Sequence, residues 1–177
     1  IASSMHRDAV TALIEADEHL AKNVISRDIE VNRLYFLLVR ILRTVIQNPG
    51  LSERLGILPI DCLDYRLTAS LVEAIGDQSV HLAELAIESG DIRITKELAQ
   101  VLLRLHKVAF DTHENAMKAM FTRDIGLAEA LRNQRKTVES LVNEIEALVH
   151  KNSRNIAPHM LAAATAMRQI YGHGVDI

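Results

Sequence analysis

The sequence predicts an all-α protein of two antiparallel three-helix bundles, residues 1–90 and residues 91–177, related by duplication about a pseudo-twofold axis. Of its 177 residues, 49% are hydrophobic but only 3% are aromatic, so the apolar residues are mostly aliphatic and favour helix where their spacing agrees. They recur every three or four positions, which is the period of amphipathic helices. With seven Gly and three Pro, the chain is neither disordered nor collagen-like.

Three helices are expected in the first bundle. The first helix follows the apolar positions of residues 10–24 and ends near residues 26–28. There Ser26 or Asp28 can cap the beginning of the second helix. The second helix ends at residues 47–50, and a linker leads to the third, over residues 60–90. Positions expected in the core of the second and third helices include Val31, Leu34, Leu38, Ile41, Leu63 and Leu67.

The helical pattern then begins again. A fourth helix is expected over residues 98–120, a break at residues 122–124, a fifth helix over residues 127–148, a break at residues 151–153 and a sixth helix over residues 156–171. Five residues recur 96 positions later, namely Glu18, Lys22, Arg27, Asp28 and Ile29 as Glu114, Lys118, Arg123, Asp124 and Ile125. This recurrence indicates a duplicated unit, and the short connections imply antiparallel neighbours.

Composition excludes several classes of protein. Cys62 is the only cysteine, so the chain forms no internal disulfide; this is typical of a reducing cytoplasm, and we expect the thiol in the core. The most apolar stretch, residues 34–46, contains Arg40 and Arg43 and does not insert in a membrane. Residues 1–90 carry a net charge of −5 and the remainder +2, so neither half has the basic surface of a nucleic-acid-binding domain.

No motif predicts an enzyme. Cys62 has no acid–base partner that the sequence places beside it, and a Gly-rich phosphate loop is absent. The eight His follow no zinc-ligand spacing, and most are expected at the surface or on helix flanks.

Glu73 and Asp77 are the most suggestive polar pair, because they lie one turn apart on one face of the third helix. Either water or a cation must relieve their repulsion. A hard or borderline cation suits carboxylate oxygens, and a facing helix supplies further ligands, here Asp28 and Asn32. The alternative is a solvated acidic face, offset by Arg66 or Lys22 and costing a few tenths of a kcal/mol.

These residues also belong to three runs that resemble the PhoU family of phosphate-uptake regulators, most closely its archaeal branch. The runs are residues 28–40 (DIEVNRLYFLLVR), residues 63–67 (LDYRL) and residues 72–84 (VEAIGDQSVHLAE). The last is similar to the family signature Leu-Glu-Arg-Ile-Gly-Asp-His-Ala. The order and spacing agree over nearly the whole chain, and the agreement is more specific in the first half.

The resemblance implies a cytoplasmic, non-catalytic adaptor, usually a homodimer, that couples a phosphate ABC transporter and its signalling proteins to phosphate supply. It also implies metal binding through paired acid-x-x-x-acid motifs. In the first bundle these are Asp28 with Asn32, and Glu73 with Asp77, where Asn32 replaces an acid. The bound ion would be divalent or trivalent, such as iron, zinc or magnesium.

In the second bundle, Arg168, Gly172 and Ala128 occupy the positions that the resemblance assigns to acids. We therefore expect a cation site in the first bundle only, and one metal per chain at most. Dimerisation is expected also because the second helix is apolar on more than one face around residues 35–39.

An alternative function remains open. Some archaeal relatives carry an AbrB-like DNA-binding domain before the helical repeats, and the beginning at Ile1 leaves room for one. The chain would then be the dimerisation or ligand-sensing part of a transcriptional regulator. A purely structural bundle is the third hypothesis.

Overall fold

The computed structural model describes residues 1–90, 94–152 and 156–177, and this part of the chain is all-α, as predicted, with no strand. Its eight helices are α1 (Ala2–Glu15), α2 (Glu18–Gln47), α3 (Pro49–Leu55), α4 (Asp61–Ser89), α5 (Lys96–Thr122), α6 (Ile125–Arg132), α7 (Arg135–Asn152) and α8 (Ala157–Asp176). The first bundle consists of α1, α2 and α4, and the second of α5, α6 with α7, and α8.

The first break between helices lies at Ala16 and Asp17, so the predicted break at residues 26–28 is wrong. Ala16 adopts the left-handed conformation with φ 55°, and the Asp17 carboxylate accepts a hydrogen bond from the Leu20 N–H at 2.9 Å. Residues 26–28 lie inside α2. The Ser26 hydroxyl donates to the Asn23 carbonyl at 2.8 Å.

The linker after α2 contains a helix that the sequence interpretation missed. Asn48 caps α3 by accepting a hydrogen bond from the Leu51 N–H at 3.2 Å, Pro49 occupies its first turn, and Gly56 ends it at φ 64°. The next helix, α4, begins at Asp61 and is closed by Gly90, as predicted.

The second bundle differs from the prediction at its middle helix, which is divided into α6 and α7. The Tyr171 hydroxyl of α8 donates to the Leu131 carbonyl at 2.9 Å and lies 3.4 Å from the Arg132 carbonyl, so it satisfies backbone acceptors at the break. The break predicted at residues 122–124 is confirmed, with Arg123 left-handed and Asp124 as the cap of α6.

The duplicated breaks are displaced by 107 positions, not by 96. Ala16 and Asp17 have φ values of 55° and −92°, and Arg123 and Asp124 have 55° and −87°. Each Asp accepts a hydrogen bond at 2.9 Å from the N–H three residues later. In this register the buried residues Val24, Val31 and Leu42 correspond to the buried Leu131, Val138 and Val149. The match of Asp28 with Asp124 therefore does not describe equivalent positions.

One hydrophobic core joins the two bundles, since α1 packs on α5 and α4 packs on α8. The domain boundary at residues 90 and 91 remains a prediction, because residues 91–93 lie outside the described residues. Of the break predicted at residues 151–153, residues 151 and 152 lie in α7, and residue 153 lies outside the described residues.

Several aliphatic side chains expected in the core are instead exposed. They are Leu34, Leu38, Ile41, Leu63 and Leu67. All lie in the C-terminal part of α2 or the N-terminal part of α4, which extend beyond the shorter α1. Cys62, in contrast, is buried as predicted, beside Leu42 and Val45.

Candidate functional site

The four residues predicted as a metal site lie on two helices that pack closely together. Asp28 and Asn32 belong to α2, and Glu73 and Asp77 belong to α4. At Gly76 the helices approach so closely that an added Cβ would lie 3.3 Å from Val31 Cγ1. This close approach brings the two pairs of side chains to the same face of the bundle.

The carboxylates of this face influence one another. Partial burial raises the pKa of Glu73, and the charges of Asp77 and Asp28 raise it further. Burial and the charge of Asp28 likewise raise the pKa of Asp77. Two carboxyl groups whose pKa values are raised by burial and by neighbouring negative charge would gain from a bound cation.

The cations suggested as counterions do not neutralise this face. Lys22 pairs with Glu18 at 2.5 Å, and Arg27, next to Asp28, pairs with Asp8 at 2.7 Å. Within the described residues, Arg66 forms no ion pair with the three acids.

Asp28 has one oxygen satisfied and one unsatisfied. The Asn32 side-chain amide donates to Asp28 Oδ2 at 2.7 Å. Asp28 Oδ1 is buried and has no hydrogen-bond partner among the described residues. A buried acceptor without a partner is costly, so this oxygen fits a site for a cation.

The arrangement nevertheless stops short of a complete ligand shell. No group of three or more His, Cys, Asp or Glu side chains in residues 1–90, 94–152 and 156–177 is gathered closely enough to hold a metal. Ligation by Asp28, Glu73 and Asp77 together would therefore require their side chains to rotate toward one another.

An apolar groove adjoins the acidic face. It has a volume of about 450 Å³ and lies between α2 and α4, with the beginning of α1 and the C-terminal end of α5, at Met117, Met120 and Phe121, also lining it. Glu73 lines it together with Val31, Leu34, Tyr35, Leu38, Tyr65 and Val72. The groove and the exposed Phe36, Leu37 and Leu67 around it form a surface that we call the α2–α4 apolar surface.

A cluster of buried histidines was not predicted. His6 of α1 is fully buried, and its Nε2 lies 3.2 Å from His106 Nδ1 of α5. His113, two turns after His106, is also buried. The spacing of His106 and His113 places them on one face of α5, but only the docking of α1 on α5 adds His6.

Burial dominates the electrostatics of this cluster. It holds the pKa of His6 well below the ordinary value, with His106 and His113 adding to the effect. Burial also lowers the pKa of His106 to about 4 and lowers that of His113. The three imidazoles are therefore neutral at pH 7 in the folded protein.

In the second bundle, the register predicted from the sequence does not give a counterpart of the acidic face of the first bundle. Asp124 serves as the cap of α6, and Ala128 is exposed one turn later. Arg168 and Gly172 line a cleft beside the break between α6 and α7.

Among the described residues, no helix is long and apolar enough to cross a membrane.

Comparisons with known proteins place these features in context. Residues 1–86 match the family model of the PhoU domain. The crystal structure of PhoU from Pseudomonas aeruginosa superposes with a TM-score of 0.84 at 20% identity, covering 99% of this chain and 85% of that chain. The phosphate transport system regulatory protein PhoU from Streptococcus pneumoniae has a TM-score of 0.84 at 12% identity, with 99% and 83% coverage. No curated protein matches the sequence.

Proposed function

Since residues 1–86 match the family model of the PhoU domain, we propose that this protein is a regulatory adaptor of phosphate transport and phosphate homeostasis. It acts in the cytoplasm by protein–protein interaction and performs no catalysis. Its partner is a phosphate ABC transporter or an associated signalling protein, and it acts as a homodimer.

The α2–α4 apolar surface is the observation that carries this proposal. Leu34 and Leu38 line the groove and are 47% and 38% exposed. Contiguous exposed apolar surface is a feature of protein interaction sites. The groove accepts side chains of another protein, and the neighbouring acidic face supplies charge at its rim.

A metal ion on the acidic face is the second part of the proposal. Asp28, Glu73 and Asp77 would hold one divalent or trivalent ion, such as iron, zinc or magnesium, with Asn32 orienting Asp28 through its hydrogen bond. The ion would offset most of the negative charge of the three carboxylates and fix α2 against α4 beside the groove. The alternative of a DNA-binding regulator gains no support from the described residues or from the comparisons.

The double variant Leu34→Gln with Leu38→Gln tests the adaptor role. We expect it to keep its helical circular dichroism, to lose co-purification with the transporter's ATPase subunit and to lose control of phosphate uptake in cells. Leu103→Gln on α5 is the control, since Leu103 is 47% exposed and does not line the groove. Normal control of uptake by the folded double variant would contradict the proposal.

A further inference from the structure

The second bundle contains a polar cleft that the adaptor role does not use. It has a volume of about 770 Å³ and lies between the α6–α7 break and the C-terminal half of α8. One arginine from each of the three helices lines it, namely Arg132, Arg135 and Arg168. Its other polar side chains are those of Glu139, Gln169, Tyr171, His173 and Asp176.

The cleft occupies the position in the second bundle that the acidic face occupies in the first. With the displacement of 107 that relates the duplicated breaks, Asp28 corresponds to Arg135 and the buried Val31 to the buried Val138. Glu73 corresponds to Arg168 in the alignment that matches the buried Ile75 with the buried Ile170.

The duplication has therefore reversed the sign of the charge at two equivalent positions. Where the first bundle directs two carboxylates to the junction of its helices, the second directs two guanidinium groups. The net charges of the two halves agree with this reversal, since the first half carries −5 and the second half carries +2.

The arginines are largely without partners inside the protein. Arg132 and Arg168 form no ion pair within the described ranges, and Arg135 contacts Glu139 at 3.5 Å as an exposed pair one turn apart. Such exposed pairs contribute little to stability, so their partners are readily exchanged. Glu139 and Asp176 leave the three arginines with a surplus of one positive charge when His173 is neutral.

We propose that this cleft binds a phosphate group, either as orthophosphate or as the terminal group of a small phosphorylated molecule, through Arg132, Arg135 and Arg168. Guanidinium groups bind tetrahedral oxyanions by paired N–H donors, which a lysine cannot reproduce. Gln169 and His173 supply further donors, whereas the Tyr171 hydroxyl is engaged with the Leu131 carbonyl. The cleft is large enough for more than one phosphoryl group.

Calorimetric titration of the purified chain with orthophosphate, and separately with pyrophosphate, tests the proposal at low ionic strength. We expect saturable binding of at least one of them, competition by sulfate, and no competition by chloride at equal ionic strength. Tighter binding of pyrophosphate would identify a phosphorylated molecule as the ligand, and tighter binding of orthophosphate the free ion. Absence of saturable binding of both at millimolar concentrations would overturn the proposal.

The double variant Arg135→Gln with Arg168→Gln locates the site, and Arg168→Gln alone serves if the double variant does not fold. Affinity should fall at least tenfold in either variant. Arg40→Gln with Arg43→Gln removes two exposed arginines of α2 and is the control, with unchanged affinity expected. Equal affinity in wild-type protein and the cleft variants would place the site elsewhere and overturn the assignment. These measurements need no partner protein, so their outcome is separate from that of the adaptor proposal.

Discussion

The surroundings of His6 in the folded protein are a feature of a single residue that the sequence does not reveal. Its helical spacing from the apolar Ala2, Ala9 and Val10 agrees with burial, but its partners His106 and His113 are about 100 positions away and cannot be inferred from that spacing. For Asp28, Glu73 and Asp77, in contrast, helical spacing and the resemblance to the family signature were enough to predict a shared site, which stays a prediction. What the sequence could not show was the hydrogen bond from Asn32 that fixes Asp28.

The histidine cluster should make folding stability depend on pH. Because the folded state lowers the pKa of His6, His106 and His113, the unfolded chain binds more protons below its ordinary histidine pKa of about 6.5. Stability is therefore complete above that pH and falls toward pH 4, by roughly 3 kcal/mol from His106 alone. Urea unfolding followed by circular dichroism at several pH values measures the loss.

The variant His6→Met is expected to reduce this dependence on pH, since it removes the most buried imidazole. His19→Met is the control, because His19 is exposed. If both variants lost stability equally between pH 7.5 and pH 5, the cluster would not be the source of the effect.

The acidic face leads to a prediction with two parts. In the presence of a chelator, Asp77→Asn should raise the free energy of unfolding by about 0.2–0.5 kcal/mol, the usual cost of like charges one turn apart. With divalent ions present, only the wild-type protein should gain stability. Thermal unfolding with and without added ions measures both effects.

Metal content provides the control for that prediction. The double variant Glu73→Gln with Asp77→Asn should contain less metal than wild-type protein after purification without chelator. Unchanged content in elemental analysis would show that the metal is bound elsewhere. The matched pair Glu129→Gln with Glu146→Gln removes two exposed acids of α6 and α7 and should leave the content unchanged.

At the scale of helices, the sequence predicts that a segment is helical more accurately than it predicts where each helix begins and ends. The apolar spacing predicted helix along most of the chain, but the first break was placed at residues 26–28, inside α2, because Ser and Asp favour caps. The chain instead turns at Ala16, a residue without any preference for the left-handed conformation. At the division of α6 from α7, a backbone carbonyl accepts a hydrogen bond from Tyr171, a residue of a distant helix, and no local pattern could reveal this contact.

The two equivalent caps can be tested by substitution. Asp17→Ala and Asp124→Ala should each destabilise the protein by about 1 kcal/mol, since each removes the acceptor for an otherwise unpaired N–H. Chemical denaturation measures the loss. Ser26→Ala is the control, and it should change stability little because Ser26 lies inside α2. Greater destabilisation by Ser26→Ala than by Asp17→Ala would favour the helix break at residues 26–28 that was predicted from the sequence.

At the scale of the whole molecule, the first bundle is incompletely covered. Helices α2 and α4 have 30 and 29 residues, whereas α1 has 14. At about 1.5 Å per residue, α1 covers roughly half of the groove between them. Periodicity indicated that α2 is apolar on more than one face, but only the lengths of the packed helices show which residues stay exposed.

The exposed part of α2 therefore supports the prediction of a homodimer. Two copies that bury the exposed Phe36 and Leu37 of this surface against each other would remove them from water, at about 25 cal/mol for each Å² of apolar area, and would leave the groove open to the adaptor's partner. A contact between identical surfaces closes as a twofold dimer. We expect light scattering coupled to size exclusion to give twice the 19.7 kDa of one chain, and Phe36→Gln with Leu37→Gln to give the monomer. Leu103→Gln should remain dimeric, whereas a wild-type protein that is monomeric even in concentrated solution would show that this surface serves another partner.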